Sequence, residues 1–330
     1  MCLPLKLLWA GPLALHRDHA GPHCLATHRR LRDPGATMGR RAILSLGQGP
    51  KLMADDRSHV NIGVIGGAGH MGQWLRSFWL ARGTDVAWSD RDTLRTNADV
   101  VQAADLTFVA VPLRLTPSVI RDLAPIVSEG QCLVSIGSLM QPSAAELASV
   151  RGDAVCVHPI FGPTARQYAG LPIAVAGVRG NRWQPWLVES LRAAGMSVSE
   201  TSPWQHDASM AVTQAMLHGM FVALCGAMSS AGLPPEAALE WASPTMQVQL
   251  GLVARILSQD AELYADLVVG NPWAPDRLES LAANLARLAG FARSGDVRAF
   301  AEAFRDARAT FGESLEHLSL QAEAALDQLT

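Results

Sequence analysis

The stretch "HVNIGVIGGAGHMGQWLRSFWLARG", residues 59–83, restricts this chain more than any other. Val60, Ile62, Val64 and Ile65 form a short β-branched run suited to a strand covered on both faces. Gly67, Gly69 and Gly72 follow with the spacing G-x-G-x-x-G. Met71 to Arg82 then reads as a helix with Trp74, Leu75, Phe78 and Trp79 on one side. Gly83 ends it, and "DVAWSD" is a second strand closed by Asp90. Strand, glycines, helix, strand and acid in this order describe a dinucleotide-binding unit. Gly67 is expected to make the tight turn, Gly69 to admit a pyrophosphate, and Gly72 to let helix and strand pack closely. The helix start, with His70 and Met71, faces the phosphates. Asp90, 18 residues after Gly72, can accept from ribose hydroxyls, which favours NAD. Arg91 beside it keeps NADP as the alternative.

Further βα units continue the pattern. "DLTFVAV" (105–111) is a strand ended by Pro112, so Val111 and Pro112 are expected beside the cofactor. A helix over 118–126, a strand over 131–138, a helix over 142–150 and a strand over 154–157 follow. "LPIAVAGV" (171–178), a helix over 183–194 and "MSVSET" complete the half. Near-continuous apolar strands alternating with helices predict a parallel, doubly wound, Rossmann-type sheet. Ligands of such sheets sit at the carboxyl ends of the strands. Ser138 and His158 lie at such ends, and "CVHPIFGP" (156–163) presents the imidazole on a stiff turn.

Beyond about residue 203 only helical periodicity remains. Residues 204–228 read as one long helix on which Gln214 and His218, four apart, share a face. Residues 235–259 continue with a kink near Pro244, and amphipathic helices cover 276–293 and 297–329. Ala208 to Pro235 carries no Asp, Glu, Lys or Arg, which is long enough to cross a bilayer. Its Ser209, Thr213, Gln214, His218, Ser229 and Ser230 and the lack of a flanking basic cluster favour burial in a helical domain or a homodimer instead. The expected division is a disordered leader over 1–56, a dinucleotide domain over 57–203 and an all-helical substrate and dimerisation domain over 204–330.

Charge narrows the partners. Residues 1–52 hold eight Lys/Arg and two acids, which leaves the remainder at net −9 and offers no basic field for nucleic acid. Five cysteines without a CxxC pair predict no metal site and a reducing, cytoplasmic compartment.

In order along the chain, "GVIGGAGHMG", "FVAVPLRLT", "SIGSLM", "VHPIFGP", "QHDASMAVTQAMLHG", "ASPTMQVQLGLVARILSQDAELYADL" and "FRDARATFGE" resemble the prephenate dehydrogenase family, which includes arogenate dehydrogenases. The resemblance runs from residue 60 to about 325. It implies NAD-dependent oxidative decarboxylation of a cyclohexadienyl substrate, prephenate giving 4-hydroxyphenylpyruvate in tyrosine biosynthesis. It implies His158 as catalytic base and Ser138 as its neighbour on the reacting hydroxyl. Arg255 would hold a substrate carboxylate, with Tyr264, His218, Gln214 and His206 also on the substrate side. Two positions depart from the relatives. Met140 stands where they carry a lysine, and Gln247 where they carry a second arginine. These departures motivate arogenate or 4-amino-4-deoxyprephenate as alternative substrates, and a non-catalytic NAD-binding protein as a further one. A β-hydroxyacid dehydrogenase is disfavoured, because its helical-domain lysine has no counterpart between Ala208 and Thr330.

Overall fold

A computed structural model describes residues 59–327; the expectation for the leader falls outside them. The first half is one seven-stranded sheet of order β2-β1-β3-β4-β5-β6-β7. β1 (Ile62–Ile65) leads into α1 (His70–Leu80), β2 (Val86–Ser89), α2 (Asn97–Ala103) and β3 (Leu106–Val109). β2 and β3 pair in parallel on opposite sides of β1. The chain therefore reverses its direction of travel there and opens a crevice at the carboxyl ends of β1 and β3. α3 (Thr116–Leu123), β4 (Cys132–Ile136), α4 (Gln141–Leu147) and β5 (Asp153–Pro159) extend the sheet in parallel. β1, β3, β4 and β5 are buried along their whole length because helices cover both faces. One face packs α1 and, later, α5 through Trp74, Phe78, Trp79 and Leu187; the other packs the α2–α4 side through Val100, Ile120, Leu147 and Cys156.

The parallel expectation fails at one pair. β6 (Pro172–Arg179) runs antiparallel to β5. The connection over 160–171 holds no helix, and a parallel return needs a helical crossover of a dozen residues or more. α5 (Trp183–Ala193) then returns β7 (Ser197–Glu200) parallel to β6.

Ser202 caps the second half by accepting from the Gln205 N–H. α6 (Pro203–Met210), a π-helical segment (Ala211–Met216) and α7 (Leu217–Ser230) form one continuous 28-residue helix. α8 (Pro235–Leu239) and α9 (Pro244–Leu257) are separate helices, not one kinked helix, because Ser243 and Pro244 start a newly capped N-terminus. α10 (Ala261–Val269) and α11 (Ala274–Ser294) follow. The last predicted helix is also two, α12 (Val297–Phe311) and α13 (Ser314–Leu326), parted at Gly312 with φ +50°.

Long apolar character does not mean burial here. The helix over Pro203–Ser230 has mean hydropathy 1.4 across its most apolar window, yet only 22% of that window is buried within the chain. Leu217, Met220 and Val222 stand exposed. Of the two expected settings for this helix, burial within the helical half of one chain is only partial.

Candidate active site

The glycine loop sits at the crevice, but its parts divide differently from the expectation. The left-handed residue is Gly66, one before the motif, with φ +81°. Gly67 is required for a different reason: a Cβ there would lie 2.8 Å from the Trp88 ring. A Cβ on Gly72 would overlap the Gly66 carbonyl oxygen, so the start of α1 presses against the loop. A Cβ on Gly69 would meet only the Gly66 oxygen, at 3.3 Å, so its outward side is open. α1 has no side-chain N-cap and no acid in its first turn. Its first N–H groups, beside exposed His70 and partly buried Met71, are thus available to an anion. These features fit a bound pyrophosphate. Val111 borders Gly66 at the crevice, and Pro112 follows it, its carbonyl accepting the Leu115 and Thr116 N–H groups of the next turn.

Asp90 follows β2 directly. One of its oxygens accepts the Ala68 N–H at 2.9 Å and the other the Arg91 N–H at 2.8 Å. The carboxylate is thereby fixed beside the loop with lone pairs to spare for ribose hydroxyls. Arg76 stacks on Trp88 at 3.8 Å and donates to the Gly67 carbonyl, which braces the loop from behind.

His158 lies within β5 rather than after it, 3% exposed. Side chains alternate along a strand, so His158 points to the same face as Ala154 and Cys156, toward α4 and α6. There its Nδ1 meets His206 Nε2 at 2.9 Å. His206 Nδ1 in turn meets Asp207 Oδ1 at 2.7 Å, both side chains being fully enclosed. Asp207 also accepts the N–H groups of Met140 (2.8 Å) and Gln141 (2.9 Å) at the start of α4. Its own carbonyl accepts from buried Asn271, just past α10. Burial first, and the facing His206 second, push His158 down to about 3, so its ring is neutral at physiological pH. Its Nε2 has no hydrogen-bond partner among the described residues.

Ser138 leaves the neighbouring strand end. β4 and β5 pair Ile136 with Val157, and the Gly137 N–H donates to the Val157 carbonyl. Ser138 is partly buried, and its hydroxyl is unpartnered among the described residues.

A second group lies on the helical half. His218 of α7 meets the Tyr264 ring of α10 edge-on at 4.7 Å, with its own Nδ1 buried and unpartnered. Burial lowers the His218 pKa. Burial raises the Tyr264 phenol, and the nearby Arg255 guanidinium opposes that rise. Arg255, in the last turn of α9, forms no ion pair among the described residues. The π segment changes the relative direction of the two histidines on this long helix. In an unbroken α-helix, His206 and His218 would point about 120° apart; one inserted residue reduces this to about 20°. Gln214 lies within that segment, and Arg114, just past Pro112, reaches Asp266 of α10 at 3.5 Å.

Two expectations change. His206 has both ring nitrogens engaged and none left for a substrate. The Met140 side chain is 1% exposed in the sheet core, so the methionine itself does not face the site. Asp207 and Asn271 were not anticipated. The available signal was a carboxylate immediately ahead of the charge-free run at Ala208.

Two family models match the chain: the nucleotide-binding domain of prephenate dehydrogenase over residues 85–172, and its dimerization domain over 202–306. Together they cover more than half of it. The chain belongs to the prephenate dehydrogenase family. A 4-amino-4-deoxyprephenate dehydrogenase of Streptomyces pristinaespiralis is 30% identical over 286 residues, which is 80% of this chain and 96% of that protein. A T-protein of Haemophilus influenzae is 27% identical over 268 residues, 80% of this chain and 71% of that protein. The prephenate dehydrogenase of A. aeolicus, solved with hydroxyphenyl propionate and NAD+, shares the fold at TM-score 0.63 and 18% identity, over 78% of this chain and 98% of that one. Family membership makes the protein an oxidoreductase with a nicotinamide cofactor, and the dimerization model supports oligomerisation through the helical half.

Proposed function

We propose that the chain is a cytoplasmic prephenate dehydrogenase, which uses NAD to oxidise and decarboxylate a cyclohexadienyl substrate for tyrosine biosynthesis. The observation that carries this reading is a neutral, buried imidazole, His158, with an unengaged Nε2 at a strand end of a nucleotide-binding sheet. A nicotinamide held at the Gly67–Gly72 loop supplies the hydride acceptor. His158 Nε2 takes the proton of the C4 hydroxyl as the C4 hydrogen departs with its electron pair. Ser138 shares that hydroxyl and fixes its direction. The ring carboxylate leaves as carbon dioxide, its bonding pair completes the aromatic ring, and His158 returns its proton to the phenolate oxygen. Arg255, with no ion pair among the described residues, takes a substrate carboxylate as a charge-assisted pair beside Tyr264 and His218. Asp90 at the end of β2 favours NAD over NADP.

A specific observation keeps a second substrate in view. Arg255 is the single charged residue of α9, Gln247 lies two turns earlier on it, and the relative matched over 96% of its length is a 4-amino-4-deoxyprephenate dehydrogenase. With an amino group at C4, His158 would accept the proton from nitrogen instead. The deciding test is kcat/KM on prephenate, arogenate and 4-amino-4-deoxyprephenate, each with NAD and NADP. Prephenate with NAD is expected to lead, and His158→Asn to cut its kcat by about 10²–10⁴. A lead for the amino substrate would move the assignment to the second reading. Cofactor binding without turnover of any of the three would end both.

A further inference from the structure

We infer that Asp207, acting through His206, sets the tautomer of His158 and thereby makes it a base; this rests on the catalytic role proposed above for His158. Asp207 accepts two backbone N–H groups and faces His206 Nδ1 at 2.7 Å. An ionised carboxylate only accepts, so the His206 hydrogen sits on Nδ1. His206 Nε2 then carries a lone pair toward His158 Nδ1, 2.9 Å away. His158 must place its own hydrogen on Nδ1 to complete that contact. Its lone pair is left on Nε2, the nitrogen without a partner among the described residues. A hydrogen bond at one ring nitrogen determines what the other can do. In the opposite arrangement, with hydrogen on His158 Nε2, the ring could donate to a substrate hydroxyl but not deprotonate it.

The same chain of contacts answers a difficulty raised by burial. A ring held neutral so firmly resists the positive charge it gains when it takes a proton. That charge is shared through His206 with the Asp207 carboxylate, two hydrogen bonds away. Asp207 and His206 are positioning residues, since neither touches the reacting atoms.

The relay also crosses between the two halves of the molecule. His158 belongs to β5, whereas His206 and Asp207 belong to α6. The Asp207 carboxylate holds the start of α4, and its carbonyl is held by Asn271. The base is therefore assembled only where the first turns of the helical half seat against the sheet.

Nitrogen-15 NMR of histidine-labelled protein reads the tautomer without turnover, with His158→Asn identifying the His158 signals. The wild type is expected to carry hydrogen on Nδ1 of His158. His206→Gln offers a carbonyl oxygen to that hydrogen and should keep this form, whereas His206→Leu should lose it. Both variants leave the Asp207 backbone contacts in place, so the comparison stands even if Asp207→Asn fails to fold. Asp207→Asn, where folded, should turn the His206 ring system to the other form and shift His158 with it. On the preferred substrate, kcat should fall about 10²–10⁴-fold in His206→Leu with KM nearly unchanged, and His206→Gln should recover most of the loss. Hydrogen on Nε2 in the wild type, or equal kcat in the Gln and Leu variants, would overturn the inference. Nδ1–H in an enzyme that turns over none of the three substrates would instead overturn the proposed function and leave the tautomer assignment intact.

Discussion

His158 links stability to pH as well as to catalysis. An unfolded histidine takes up a proton below about 6.5, whereas the folded ring is pushed down to about 3. Between these values the unfolded chain binds the extra proton, so folding stability falls as the solution is acidified. The contribution is fully present above about 6.5 and lost progressively below it. Acidifying from about pH 7 to about pH 5 should cost the wild type about 2 kcal/mol more than it costs His158→Asn. Urea unfolding at the two pH values measures this, and parallel losses in both proteins would refute it. Arg255 gives the opposite pattern. It is exposed and has no ion pair among the described residues, so Arg255→Gln should change stability by no more than about 0.5 kcal/mol. It should raise substrate KM about 10–100-fold, the worth of one charge-assisted hydrogen bond or two. The His158 neighbourhood was legible in the sequence only in part. A polar residue in an apolar strand marks itself, but its partner's identity does not. His206 seemed as available to a substrate as His218, because nothing in sequence spacing says that both of its nitrogens are occupied.

At the scale of elements, the glycine loop separates packing from ligand approach. A methyl on Gly72 would collide with the Gly66 carbonyl, whereas a methyl on Gly69 meets only one oxygen at 3.3 Å. Gly72→Ala should therefore lower the melting temperature and abolish cofactor binding together. Gly69→Ala should leave melting nearly unchanged yet weaken cofactor binding about tenfold or more, since its methyl fills the side facing the phosphates. Thermal melts and cofactor titration distinguish the two, and equal damage from both would contradict the assignment of Gly69 to the ligand side. Most elements here were predictable because apolar runs and glycine or proline boundaries coincide. The failures share a cause. The antiparallel β6 depends on what the 160–171 connection leaves out, and the division between α12 and α13 depends on a single backbone angle at Gly312. The π segment changes the phase of a helix by one residue while leaving its composition unchanged, so no periodicity could disclose it.

For the whole molecule, the helical half has more apolar surface than one chain can cover. α9 buries only Val253, and α12 and α13 bury no residue. Trp241, Val222, Phe304 and Leu320 are each more than half exposed. Monomeric proteins rarely leave so much large apolar surface in water, and the family model over 202–306 is a dimerization domain. The protein should sediment at twice its 35.2 kDa chain mass. Val222→Asp places a charge on the exposed face of α7 and should halve that mass, because an unpaired carboxylate in an apolar interface is costly. Its kinetic consequence follows from where each part of the site is anchored. The nucleotide loop rests on a sheet whose core is complete within one chain, so the Kd for NAD should stay within about twofold, as for distant sites that behave independently. Arg255 rides on α9, a helix with almost no buried residue of its own, so its position depends on the partner's surface. Dissociation should therefore raise substrate KM while cofactor binding stays constant. A monomeric wild type would remove the premise, and a monomeric Val222→Asp with unchanged KM would show that α9 keeps its place alone.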